Sequence, residues 1–272
     1  MITDTNMPAE VPAINRLRGF FAYEKSGNRL LDLYREGGTL VTGHRLKGVG
    51  AGMKNFLEKG NWGRYPGVWE QRAEKALFAA FPGYKSVSYF PAVRACGDAL
   101  EKVTGKPFVE LLHDPADDLG DSAAPVRCEA AVWRLFLPKP EAPWLIPWLP
   151  FSGGFSPLVL LGPERLHSSG YFPMEYQFSL MPKVLSLLAT YEEGNSGDFS
   201  GLWRKFSHPR WQARGPYIRP KIEAKRYSSL FEFFLSRGIL LSPDISSPSV
   251  LPLEASDGDI GRFISASEDF NG

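Results

Sequence analysis

The residues that could carry chemistry in this chain are few, and their spacing decides what they can do. His44, His113, His167 and His208 stand far apart and fit no HExxH or other metal-ligand spacing. Ser152, Gly153, Gly154, Phe155 and Ser156 do not form a G-x-S-x-G nucleophile elbow. The glycines of residues 48–52, GVGAG, follow no strand and lack the G-x-G-x-x-G spacing of a dinucleotide loop. Asp114, Asp117, Asp118 and Asp121 lie in a small-residue stretch without the glycine and glutamate spacing of an EF-hand, so an exposed loop is expected there. The 204–225 segment sets Arg204, Lys205, His208, Arg210, Arg214 and Arg219 around Trp211. Cations interleaved with aromatics can pair with nucleic-acid phosphates and stack on bases, or hold a small anion. Residues 149–173, LPFSGGFSPLVLLGPERLHSSGYFP, join a Ser-Gly-Gly turn, an apolar run, a Gly-Pro break and a Ser-Ser-Gly turn. No lysine occurs between Lys139 and Lys183, so this stretch has no primary amine.

The elements that must position these residues can be read from periodicity. Residues 1–18 read as an irregular arm. Phe20, Phe21 and Tyr23 suit a strand, residues 25–28 a hairpin turn, and residues 29–34 the returning strand. Residues 47–59 have helical spacing through Val49, Met53, Phe56 and Leu57. Trp69, Ala73, Ala76, Leu77 and Ala80 form one apolar stripe, and Pro82 and Gly83 end that helix. A short strand is expected over 86–90. Residues 128–137 and 158–161 read as buried strands. Helical spacing returns over 174–191 and 231–237, the latter closed by Gly238, and Ser256 or Asp257 is placed to cap a last helix.

This order of elements and motifs resembles class III aminotransferases, fold type I enzymes that use pyridoxal phosphate. Gly27, Leu31 and Asp32 match the family's G-x-x-y-l-D turn, and Gly43, His44 and Val49 its G-H-x-h-P-x-V segment. Gly153, Gly154 and Pro157 match the glycine-rich turn K-x-x-G-G-G-x-P, and Ser168 or Ser169 stands where a T-x-S-G-x-P turn reaches a neighbouring subunit's cofactor phosphate. The resemblance implies an α/β fold: a reduced fold type I sheet domain over about 61–190, with segments 1–60 and 191–272 combining into a small α+β domain. It implies a homodimer, and cofactor or anion contacts at Gly153, Gly154, Ser168 and Ser169. It also exposes departures. The cofactor lysine falls at about Leu149, and no D-E-x-x-x-G motif supplies an acid to the pyridine nitrogen. Pro91, Ala92, Val93 and Arg94 stand where a phosphate-gripping S-G-S/T-E-A helix start is expected; proline lacks an N–H and valine a hydroxyl.

Composition sets the outer limits. The 272 residues can bury a sizeable core, and 22% charged with 43% hydrophobic residues is ordinary for a globular chain. A net charge of +1 gives no general drive toward nucleic acid or anionic membrane. Cys96 and Cys128, outside any CxxC spacing, fit two buried thiols in a reducing compartment. The N-terminal residues lack a basic start and an apolar core, and no apolar run reaches membrane-spanning length, so a soluble cytoplasmic protein is expected. Three functional readings stay open: an aminotransferase-like scaffold without pyridoxal phosphate catalysis; an active pyridoxal phosphate aminotransferase or aminomutase using Lys139 or Lys183; and a small-anion or nucleic-acid binder acting through residues 204–225.

Overall fold

The computed structural model of the chain describes residues 8, 10–60, 67–117, 119, 128–152, 156–168, 170–195 and 199–270. In chain order the elements begin with β1 (Ile14–Arg18), β2 (Phe21–Glu24), β3 (Arg29–Asp32), the short turn α1 (Arg35–Gly38), α2 (Val49–Glu58), α3 (Trp69–Ala80), β4 (Ser86–Phe90) and α4 (Val93–Thr104). Then come α5 (Phe108–Leu111), β5 (Leu112–His113), β6 (Ala130–Trp133), β7 (Trp144–Pro147), β8 (Leu158–Gly162) and α6 (Glu175–Asn195). The chain closes with α7 (Ser200–Phe206), β9 (Trp211–Arg214), β10 (Tyr217–Pro220), α8 (Tyr227–Ser236), β11 (Ile239–Leu240), β12 (Ser249–Val250) and α9 (Asp257–Asp269). They group into two compact units. One comprises Met1–Arg45, Ala116–Ala123 and Gly197–Gly272; the other comprises Leu46–Pro115 and Ala124–Ser196.

The second unit is built on a mixed sheet of order β4-β8-β7-β6-β5, in which β5, β6 and β7 run parallel and β8 runs antiparallel to both its neighbours. Every residue of β6, β7 and β8 is buried, which explains their uninterrupted apolar runs (AAVW, WLIP, LVLLG). Because β4 opposes β8 and β8 opposes β7, the C-terminal ends of β4, β5, β6 and β7 share one edge of the sheet with the start of β8. Helix α3 buries Ala73 and Leu77; α6 packs with α3 and α2 and buries Phe178, Met181, Val184, Leu185 and Leu188. Cys96 is buried in α4, whereas Cys128 is only half-buried, so the expectation of two buried thiols holds for one of them.

The first unit joins both ends of the chain. Its sheet runs β1-β2-β3-β11, with β11 parallel to β3, beside a three-stranded sheet β12-β10-β9. Leu31, Phe206, Trp211, Phe234, Ile239 and Phe263 are among the side chains of its core. Strand β1 forms where an irregular arm was expected; four of its five residues are exposed or hold polar groups outward, so only pairing with β2 reveals it. The expected cap of the last helix is Ser256, whose hydroxyl accepts from the Asp259 N–H while Asp259 accepts from the Ser256 N–H, a reciprocal capping box.

Gly162, the last residue of β8, is sterically required. A Cβ there would lie 2.1 Å from the Trp144 ring on β7. Gly162→Ala therefore forces the ring or the strand pair apart, and urea denaturation should show a loss of about 1–3 kcal/mol.

Candidate functional site

In open α/β sheets, ligands bind outside the carboxyl ends of the parallel strands. Here that edge is occupied by a buried ion pair. The residue after β5 is Asp114 and the residue after β6 is Arg134, and both side chains are almost wholly shielded, at 0% and 1% exposure. Arg134 Nε donates to Asp114 Oδ1 and Nη2 donates to Oδ2, each at 2.7 Å, a bidentate fork. The Trp148 ring, just after β7, lies 6.0 Å from the Arg134 guanidinium carbon, at the outer reach of a cation–π contact. Leu149 follows and is buried. The loops leaving the same edge carry two bulky residues in left-handed backbone conformations, Phe136 (φ 67°) and Phe151 (φ 73°). Such positions cost about 1–3 kcal/mol each and are held only where surroundings dictate them. The Phe136 ring packs 5.8 Å from Tyr191 of α6.

The start of α4 also faces this edge, directly after β4. Its N-cap is Ala92, with no side-chain cap; Val93 is buried and Arg94 is exposed. No hydroxyl is available there to grip a phosphate. Cys96, one turn along, is an unsuitable nucleophile because burial pushes its thiol far above the usual range.

The sequence expectations fall out unevenly. Gly153, Gly154 and Ser169 lie outside the described residues. Ser168 is half-buried, and its carbonyl accepts from the Tyr171 N–H. Asp114 is not in an exposed acidic loop but is the buried partner of Arg134; Asp117 is exposed and pairs with Arg219 at 3.1 Å, while Asp118 and Asp121 lie outside the described residues. The strand expected over 128–137 stops at Trp133, because Arg134 turns to Asp114 and Phe136 takes a left-handed conformation. Lys139 sits at the opposite edge of the sheet, with its amine on the Ala80 carbonyl. It shares a cavity with Phe81, Tyr84 and Gly162, away from the carboxyl ends of the parallel strands. In the 204–225 segment, Arg219 also donates to the Ser246 carbonyl and Arg210 to that of Phe270, so two of its cations serve the unit's own packing. Among the described residues no group of three or more His, Cys, Asp or Glu side chains is placed to hold a metal, and no helix is long and apolar enough to cross a membrane.

In the other unit, the two residues quoted separately for the G-x-x-y-l-D and G-H resemblance prove to be one contact. Asp32 Oδ2 meets His44 Nε2 at 2.6 Å, both side chains being more than nine-tenths buried. Asp32 Oδ1 accepts from the N–H groups of Tyr34 and Arg35. Buried Arg35 in turn donates to the carbonyls of Asp32, Leu40 and Val41. Gly43 makes the approach feasible: its φ is +88°, and a Cβ would stand 2.8 Å from the Gly19 carbonyl oxygen. His44 is thus a buried structural residue and not a surface one.

Comparison with known proteins agrees with this architecture. No protein-family model matches the chain. An uncharacterized protein of Borreliella burgdorferi is 25% identical over 256 residues, covering 93% of this chain and 89% of its own. The chain is similar in structure to ornithine aminotransferase of Plasmodium yoelii (TM-score 0.64, 15% identity, 97% of this chain and 94% of that one). It is also similar to the ornithine delta-aminotransferase of Plasmodium falciparum (TM-score 0.65, 13% identity, 98% and 95%). The chain has an aminotransferase-like α/β fold.

The ion pair should behave as a unit in stability measurements. Asp114→Asn or Arg134→Met alone leaves one buried group without its counter-charge and should cost about 3–5 kcal/mol in urea denaturation. The double variant Asp114→Asn with Arg134→Met should cost less than the sum of the two single changes.

Proposed function

We propose that this is an aminotransferase-fold protein that does not carry out pyridoxal phosphate chemistry and serves as a dimeric or partner-binding scaffold. The observation that carries the reading is the Asp114–Arg134 pair at the carboxyl edge of the parallel strands. Transamination needs an amine to tether the cofactor aldehyde and an acid to hold the ring nitrogen protonated, so that the ring can accept electrons. At this edge the one strand-end acid, Asp114, is already engaged by the Arg134 fork through both of its oxygens. The position of the amine is filled by buried Leu149. The phosphate would meet an uncapped helix start at Ala92 and Val93 in place of hydroxyls. Pyridoxal phosphate does not fit this donor set.

The lysines nearest in sequence do not repair the deficit. Lys139 reaches the opposite sheet edge, and Lys183 lies on α6 against the start of α2. A homodimer remains the assembly proposed for the scaffold, on the strength of the family resemblance.

Purified protein mixed with pyridoxal phosphate should develop no internal-aldimine absorbance near about 420 nm that survives gel filtration, and borohydride should fix no pyridoxyl group on one lysine. A stoichiometric band abolished by a single change, Lys139→Ala or Lys183→Ala, would sink the proposal. Sedimentation equilibrium should give twice the chain mass; a monomer would remove the dimeric part of it.

A further inference from the structure

We infer that a cavity walled by α2, α3 and α6 binds a small phosphorylated molecule with an apolar or planar body. The site uses neither Asp114, Arg134 nor Leu149, so it stands or falls independently of the scaffold reading. The cavity measures about 500 Å³, within the range of small-molecule sites.

Its charge is one-sided. Lys59, Arg72 and Lys183 all line it, and among the described residues no carboxylate does. None of these three cations makes a salt bridge among the described residues; Arg72 instead lies over the half-buried Trp69 ring, 4.8 Å from its centroid. Three like charges around one concavity repel each other and give it a positive potential that an anion relieves.

The start of α2 carries the second, independent observation. Helix N-termini are positive and favour acids in the first turn. Here the N-cap is Gly48 with φ 79°, no side chain caps the helix, and the first turn holds no acid. The residue before the cap is Lys47. Lys183 is laid against this same end: a Cβ on Gly48 would stand 3.0 Å from its Cε and 3.4 Å from its Nζ. A lysine pressed against the positive end of an uncapped helix is unfavourable by itself. It becomes favourable when an anion sits between amine and helix start, since both then attract the same charge.

The remaining lining specifies the ligand further. A phosphate monoester offers nearly two negative charges and three acceptor oxygens, which suits three cations with the Ser186 hydroxyl better than a single carboxylate does. The Trp69 wall gives the rest of the molecule a flat apolar surface.

Isothermal titration of the full chain with phenyl phosphate, inorganic phosphate, benzoate and phenol tests this. Phenyl phosphate should bind more tightly than inorganic phosphate and at least about tenfold more tightly than benzoate, phenol should give no heat, and added sodium chloride should weaken binding. Lys183→Gln and Arg72→Gln should each weaken phenyl phosphate at least about fivefold. Lys54→Gln, on α2 but paired with Glu58 and outside the cavity, should leave binding unchanged. Circular dichroism melting confirms that each variant is folded, and Lys59→Gln replaces any that is not. The inference is overturned if phenyl phosphate gives no binding heat at millimolar concentration, if benzoate binds equally well, or if folded Lys183→Gln and Arg72→Gln proteins bind like the unmodified chain.

Discussion

The constraint on which the sheet edge depends is the neutralisation of a guanidinium taken out of water. A lone buried cation at the end of β6 would be untenable, because the free energy of desolvating it exceeds anything packing can return. Asp114, at the end of the neighbouring parallel strand, meets both faces of the Arg134 fork and makes the arrangement tolerable. The pair also fixes where strands end. Strand β6 stops at Trp133 so that Arg134 can turn inward, and β5 stops at His113 so that Asp114 can receive it. A bidentate fork tolerates little displacement, so the two strand ends are held in register by charge as well as by backbone hydrogen bonds.

That arrangement changes what the edge can offer a ligand. An open α/β sheet usually leaves its carboxyl edge hydrated, with side chains free to meet a substrate. Here the charged groups satisfy one another, Leu149 adds an apolar residue, and Trp148 lies beside the guanidinium. The left-handed Phe136 and Phe151 mark how tightly the two loops are drawn around this edge. Backbone strain at the carboxyl edge is familiar from catalytic sites, where it aims a reactive group. In this chain the strained residues are phenylalanines, which pack and do not react.

Much of the fold was legible in the sequence, and the reasons differ by element. The hairpin of β2 and β3, the helices α2, α3 and α6, and the stop at Gly238 follow from local periodicity and turn chemistry. Ser256 was legible as a cap because a serine followed three residues later by an acid satisfies both orphan N–H groups. The contacts that define the site were not legible. Asp114 and Arg134 are 20 residues apart, and nothing local distinguishes the first aspartate of an Asp-Pro-Ala-Asp stretch from an exposed one. Asp32 and His44 were read as two motif residues, yet their meaning is one hydrogen bond across 12 residues. A signal was available for one of them: Arg134, a charged residue directly after the fully apolar β6, needs a partner. The partner's identity needs the sheet order, which only tertiary structure gives. Strand β1 was missed for the complementary reason, since INRLR has no apolar alternation and is a strand only because β2 pairs with it.

The same unit thus handles its cations in two opposite ways, and the contrast is informative about where ligand chemistry can reside. At the strand edge a cation is dehydrated, matched by the two hydrogen bonds it donates to a single carboxylate, and has no charge left to offer. Beside the first turn of α2, exposed cations meet no lining carboxylate among the described residues, and Lys183 lies against a helix end of the same sign. Folding alone does not require the second arrangement: an aspartate in the first turn of α2 would remove the repulsion and cap the helix. Unrelieved like charge is a stored electrostatic cost, small while water screens it and released when an anion replaces that water. The place in this unit where binding an anion gains the most is therefore not the edge that the fold itself would nominate.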